Sequence, residues 1–260
     1  MTFVTLKPDT LDDENLKFEQ KALRQPVFLN SVPKSGTHLL RNIMRMFVPI
    51  DQHYKEQFVQ QQILDKHRGA FNPEKKLLSW GHLMFTDAAA IATAGVRQII
   101  LVRDPYDWVI ASARFFVSEE FKAGIPALKD GTLNMGTLFN MMILGVHQIT
   151  APLGTTFVYT ALAWMGTGAY LVRFEDLLAA VKDLDSEKSD LFFANLFEAC
   201  GIDRPEDWRE RVRIGADPRQ SSTARENLTV SVEFPKELPE VHKRLVDYSA
   251  PGLRAFLGYE

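Results

Sequence analysis

The stretch VFLNSVPKSGTHLLRNIMRMF, residues 27–47, decides the fold. Val27 to Ser31 reads as a buried strand. Leu39, Leu40, Ile43, Met44 and Phe47 then fall on one side of a 3.6-residue period, so a helix follows. Between them stands Pro33-Lys34-Ser35-Gly36-Thr37. A helix start leaves backbone N–H groups without partners and carries the positive end of the helix dipole, which suits a phosphate. Gly36 lets the backbone curl close to a ligand oxygen, and Lys34 adds a full charge. In the usual nucleotide loop, G-x-x-x-x-G-K-[ST], lysine follows the last glycine. Here lysine comes before the glycine and no earlier glycine is present, so the stretch is a relative of the phosphate loop and not an ATPase loop. The plain alternative is a strand-to-helix turn with a solvated lysine.

A chain of 260 residues can bury a sizeable core and suits one α/β domain over 1–260, with 1–25 as an N-terminal arm. Its 46% apolar and 24% charged residues are those of a soluble globular protein, and its formal net charge of −3 gives no reason to expect nucleic acid or an anionic membrane as partner. The single cysteine, Cys200, forbids an internal disulfide and fits a reducing compartment. Its apolar setting, FFANLFEACGI, reads as buried and inert. The opening MTFVTLKPDTLDDENLKF lacks the basic and apolar regions of a signal peptide. A cytoplasmic location is the expectation.

From Gly131 to Val172 no Asp, Glu, Lys or Arg appears. Length and neutrality invite a membrane reading, but Thr, Asn, Gln, Gly and Pro interrupt the run repeatedly. Helices flanking an apolar pocket are the expectation, and membrane association is not.

Strand and helix patterns alternate. Strands are expected at 27–31, 77–80, 97–102 and 169–174, and helices at 37–47, 55–67, 86–94, 105–117, 135–149, 154–165, 175–182, 188–200, 205–213 and 237–257. Gly201 reads as a helix stop. Apolar strand runs separated by helices mean a parallel sheet covered on both faces. Ligands bind such sheets at the carboxyl ends of the strands, so Lys34, His82 and Arg103 should share one edge. In IILVRDPYDWVIASARFF, Asp104 is the N-cap and Pro105 the first helical residue. Arg103, just before that cap, is placed to clamp a phosphate with its guanidinium fork, or else to pair with Asp107.

PKSGTHLL after the first strand and LVRDPYDWVIAS after a later one resemble the two nucleotide motifs of sulfotransferases, enzymes that use 3′-phosphoadenosine 5′-phosphosulfate (PAPS). LVRFEDLL, residues 171–178, is similar to a third element of that family. The resemblance implies a P-loop-NTPase-like α/β fold, PAPS as donor and PAP as product, and no metal. It places the 5′-phosphosulfate on Lys34, Ser35, Gly36, Thr37 and His38, and the 3′-phosphate on Arg103. It gives SWGHLMF a meaning too, since the family's catalytic base is a histidine followed by leucine at this point of the chain, and His82 matches it. A histidine at a strand end beside an anion site is also chemically suited to take a proton from a hydroxyl. The plainer reading has His82 capping the helix near residue 86. His147 is better read as a core histidine than as a pocket lining.

The chain departs from the pattern in places. The family's serine follows the arginine by eight residues, where Ala111 stands here, and Ser112 comes one later. One residue rotates a helix position by about 100°, so either the helix is shifted or that contact is lost. Leu39 replaces a tryptophan, Trp80 a lysine, and Phe174 a tyrosine expected beside the adenine. The family's C-terminal R-K-G-x-x-G is absent, with RQSSTARENL (219–228) in that region and Arg225 as the candidate phosphate contact.

The sequence thus reads as a PAPS-dependent sulfotransferase acting on a hydroxyl or amine of a small apolar acceptor. His82 is the base and Lys34 stabilises the leaving group. Phe139, Met141, Met142, Ile143, Phe157, Tyr159 and Trp164 are expected to wall the acceptor site. The rivals are a P-loop-type kinase of small molecules or nucleotides, for which Asp104 would hold the metal, and a non-catalytic binder of adenosine bisphosphates.

Overall fold

The computed structural model describes residues 3–4, 8–56, 58–122, 129, 131–221, 224 and 227–259. In chain order the elements are β1 (Phe3–Val4), α1 (Leu11–Asn15), β2 (Val27–Ser31), α2 (Thr37–Arg45), β3 (Val59–Gln60), β4 (Leu78–His82), α3 (Asp87–Ala92), β5 (Arg97–Val102), α4 (Pro105–Val117), β6 (Phe121–Lys122), α5 (Met135–Leu144), α6 (Leu153–Thr160), β7 (Tyr170–Arg173), α7 (Phe174–Lys182), α8 (Glu187–Cys200), α9 (Trp208–Gly215), α10 (Glu240–Ser249) and α11 (Leu253–Phe256).

Five strands form one sheet in the order β3-β4-β2-β5-β7, and every pair is parallel. Alternation along the strands builds two cores. Phe28, Ile100 and Val102 pack with α4, α5 and α6, whereas Val27, Leu29, Ile99 and Leu101 pack with α2, α7, α8 and α9. Both faces of β2 are therefore buried, which is why it reads as an unbroken apolar run. The chain leaves β2 for β4 on one side and returns past it to β5 on the other. The switch point lies between β2 and β5, where the loops Pro33–Gly36 and Arg103–Asp104 meet the sheet edge.

Several elements differ from the sequence reading. Residues 55–67 are not an α-helix: β3 pairs with β4, and a 3-10 helix (Gln61–Phe71) follows. The edge strand passes so close to Gly81 that a Cβ there would lie 2.2 Å from the Val59 carbonyl oxygen. The helix expected over 237–257 is two, α10 and α11, broken at Pro251-Gly252 with Gly252 at φ +73°. The pair β1–β6 is antiparallel and stands apart from the main sheet. α4 matches its expected span, with the Asp104 carboxylate accepting from the Tyr106 N–H at 2.9 Å. α8 stops at Gly201, φ +66°. Cys200 is buried, and desolvation pushes its thiol up to about 12, so it stays protonated. Among the described residues no helix is long and apolar enough to cross a membrane.

Candidate functional site

The loop after β2 is built to leave donors open. The Val32 N–H continues the ladder to the Leu101 carbonyl (3.0 Å), and the Ser35 N–H closes back on Val32 (3.2 Å). Lys34 then takes φ +67° and Gly36 φ +93°, turning the chain into α2. No side chain caps that helix. The first turn of N–H groups, at Thr37, His38 and Leu39, has no intrahelical partner. Gly36 is required twice over, by its positive φ and because the Phe174 ring lies against it: a Cβ would stand 2.3 Å from Phe174 Cδ2. The Ser35 side chain is wholly buried, its Oγ without a hydrogen-bond partner among the described residues. The Thr37 hydroxyl points inward to Ser31 Oγ at 2.7 Å, which leaves it capacity for one further hydrogen bond.

The Lys34 ammonium sits 3.0 Å from the centroid of the Phe115 ring. Desolvation alone lowers its pKa to about 7, with no acidic side chain among the described residues opposing the shift. A desolvated lysine facing a ring and no carboxylate is costly in the free protein, and an incoming anion relieves that cost.

His82, the last residue of β4, is tied across to β2. Its Nδ1 lies 2.9 Å from the Ser31 carbonyl oxygen and 3.1 Å from Ser31 Oγ. A carbonyl only accepts, so Nδ1 carries the hydrogen and Nε2 keeps the lone pair. Burial, and then the Lys34 charge, lower the His82 pKa to about 4 against the hydrogen bond to Ser31. Thr86, not His82, caps α3, accepting from the Ala89 N–H at 3.1 Å. The chain Thr37–Ser31–His82 thus joins the phosphate-like loop to the histidine.

The α4 stripe facing this loop is Trp108, Ser112 and Phe115, spaced four and three residues apart. Trp108 Nε1 donates to the Pro33 carbonyl, and Phe115 carries Lys34. Ser112, between them, is buried with an Oγ that has no partner among the described residues. Ala111 is rotated off that stripe, so the later serine is the one that faces the loop. Arg103 follows β5, with Cζ 4.7 Å from the centroid of the Phe174 ring, and Phe174 in turn covers Gly36. Burial raises the Asp107 carboxyl above its usual range, opposed by the nearby Arg103 charge. Arg225 lies outside the described residues.

Other expected residues stand elsewhere. His38 is turned against Trp80 (5.3 Å between ring centroids), and burial, then Arg41, lower its pKa to about 3. His147 is exposed rather than in the core. Of the residues expected to wall an acceptor pocket, Phe139, Met142, Ile143, Phe157 and Trp164 are core, Met141 is half-buried and Tyr159 exposed. Core packing of apolar helices explains most of that neutral run. It also braces the chain after His82: Trp164 Nε1 donates to the Leu83 carbonyl (3.2 Å), and the Phe85 N–H to that of Tyr159 (2.7 Å).

Nothing in the sequence announces the C-terminal brace. Arg254 binds both oxygens of Asp104 (3.1 and 2.8 Å) and lies over Tyr106, 4.0 Å from the ring centroid. Tyr259 donates to Glu175 (2.7 Å), whose other oxygen accepts from the Asp104 N–H (3.1 Å). Such pairings join segments with no local periodicity in common. Among the described residues no cluster of three His, Cys, Asp or Glu side chains is arranged to hold a metal ion.

No protein-family model and no curated protein sequence matches the chain. Solved structures do. They include mouse sulfotransferase SULT7A1 complexed with PAP, with a TM-score of 0.51 and 15% sequence identity over 84% of this chain and 68% of that one. The five-stranded parallel sheet with helices on both faces is the α/β fold of that sulfotransferase.

Proposed function

We propose that this protein is a sulfotransferase that moves a sulfuryl group from PAPS to a hydroxyl or amine of a small apolar acceptor. The observation that carries this reading is Lys34: a desolvated ammonium with a ring for its partner, beside an uncapped helix start and a histidine fixed in one tautomer. The sulfotransferase fold supports it. The open N–H groups of α2 and the orphaned Ser35 hydroxyl are the groups for the 5′-phosphosulfate. Arg103 and Ser112 are the groups for the 3′-phosphate, and Phe174 offers the adenine a ring face. His82 Nε2 takes the acceptor proton as the new S–O or S–N bond forms and the bond from sulfur to the bridging oxygen breaks. Lys34 offsets charge on the oxygen that leaves with PAP. The catalytic contribution is positioning and electrostatics. Both Asp104 oxygens are held by Arg254, which disfavours the kinase reading, since a kinase would need that carboxylate for a metal ion.

Phe58 stands edge-on to His82 at 5.5 Å between centroids and at 5.5 Å from Trp80, giving the acceptor side an aromatic wall. The test is incubation with radiolabelled PAPS and a matched panel of phenols, fatty alcohols, simple sugars and glycosaminoglycan fragments. Label should pass to the phenols or alcohols with release of PAP. Binding of PAP without turnover of PAPS on any acceptor would identify a non-catalytic binder, and transfer to the saccharides alone would overturn the apolar acceptor.

A further inference from the structure

One cation near this site has no role in the scheme above. Arg41 lies one turn along α2 from His38, on the same face. Its guanidinium is stacked on Trp80, Cζ 4.7 Å from the ring centroid, and among the described residues its side-chain hydrogen bond is a long 3.5 Å approach to Asn42 Oδ1. Two acids, Asp9 and Asp12, stand within its field, but Arg45 takes both, at 2.8 and 2.7 Å. Among the described residues no carboxylate forms an ion pair with Arg41. Burial, followed by repulsion from Arg45, lowers its pKa to about 10. Like Lys34, it is a charge kept partly dry, and among the described residues it has no direct ion pair.

Its position gives that charge a direction. Trp80 and His82 are two residues apart on β4 and share a face, about 7 Å from each other along the strand. Phe58 touches both rings, and His38 flanks Trp80 from the helix. His38, Leu39, Arg41, Phe58 and His82 are all half-buried, so this strip is reachable from solvent. Trp80 itself is buried, with Arg41 over its ring. A planar fork suits a carboxylate, which it can bind with two parallel hydrogen bonds.

We infer that Arg41, lying on Trp80, is an anion subsite for the acceptor, and that the preferred acceptor is not wholly apolar but an aromatic hydroxyl compound carrying a carboxylate at the far end of its ring. This rests on the sulfotransferase reading for its kinetic arm but not for its binding arm. Phe58 flanks the ring, His82 faces the hydroxyl, and Arg41, seated on Trp80, faces the carboxylate.

The kinetic arm compares para-hydroxybenzoate with para-hydroxybenzamide as acceptors of label from PAPS. The wild-type protein should favour the acid in kcat/KM by about tenfold or more, the size of one charge-assisted contact. In Arg41→Gln that ratio should fall to near one, and Arg41→Lys, which keeps the charge but not the fork, should fall between. Equal use of acid and amide by the wild type overturns the inference, whether or not any variant folds. So does an Arg41→Gln variant that loses PAP affinity and keeps the acid-to-amide ratio, because Arg41 then belongs to the nucleotide. The binding arm uses naphthoate and naphthamide, which have no hydroxyl to react, followed by quenching of tryptophan fluorescence. Tighter binding of naphthoate, lost in Arg41→Gln, upholds the subsite even if PAPS is never turned over, in which case only the sulfotransferase reading fails. Equal binding of the two overturns the subsite.

Discussion

His82 is hydrogen-bonded to the backbone of Ser31, Nδ1 to carbonyl oxygen at 2.9 Å, from one parallel strand to the next. The bond fixes the ring orientation and tautomer before any ligand arrives, and it turns Nε2 into the basic atom. With its pKa lowered to about 4 by burial and Lys34, His82 is neutral throughout the physiological range. If it is the base, the acid side of the kcat/KM profile should show no limb near the ordinary histidine value of 6.5 and should begin to fall only as pH drops toward about 4. His82→Gln should lower kcat by about 100-fold or more while leaving PAP affinity within a factor of about two. A pH–rate profile with an acid limb near the ordinary value would assign the proton transfer elsewhere.

The same burial makes a stability prediction. His38 and His82 titrate near 6.5 when unfolded but at about 3 and about 4 in the fold. Between pH 6.5 and about 4 the unfolded chain therefore binds more protons, and stability falls as pH falls through that window. Urea melts at pH 7 and pH 5 should show a lower midpoint at the acid value. The difference should shrink in His38→Leu, which removes one of the two groups.

Lys34 predicts a pH dependence of nucleotide binding. Its pKa is about 7 in the free protein against an ordinary 10.5, and a bound phosphate would raise it again. PAP should bind with proton uptake at pH 8, and its affinity should fall as pH rises above about 7. Calorimetry in buffers of different ionisation enthalpy reads the uptake directly. Lys34→Met should abolish it, and should lower turnover more than it weakens PAP binding, since charge on the leaving oxygen develops only in the transition state. Equal losses in rate and affinity would reduce Lys34 to a phosphate contact.

Arg103 is expected to separate nucleotides by their 3′ end. Arg103→Ala should weaken PAP by about 2–4 kcal/mol and leave adenosine 5′-phosphosulfate, which has no 3′-phosphate, nearly unchanged. Parallel losses for the two ligands would place Arg103 at the 5′ end or in a purely structural role.

The Arg254–Asp104 pair should hold α11 to the edge that carries Arg103. The two side chains are 22% and 17% exposed, and the contact is bidentate. Arg254→Met should cost about 1–3 kcal/mol, between the values for surface and buried pairs, measured by urea unfolding. A double-mutant cycle with Asp104→Asn should return most of that cost as coupling. A cycle showing none would mean that Arg254 stabilises through its packing on Tyr106.

What the sequence determined by itself is local. The apolar run of Val27–Ser31, the Asp104-Pro105 helix start and the Gly201 stop each depend on a few adjacent residues, and each stands where its local chemistry puts it. The parallel sheet follows from their alternation, and its carboxyl edge collects Lys34, His82 and Arg103. The tertiary structure decided the rest. The short edge strand β3 exists because Gly81 allows its backbone close by, a fit that no periodicity announces. Ser112 and not Ala111 faces the loop because Trp108 and Phe115 set the rotation of α4. The neutral run became mostly core because each apolar side chain is satisfied by whichever surface packs on it, and composition does not say which. The lowered pKa values of Lys34 and His82, and the unpaired charge of Arg41, come from burial and from neighbours brought in by the fold. Residue type gives a side chain its chemistry, but desolvation and counter-charge set its strength, and both are properties of the folded neighbourhood.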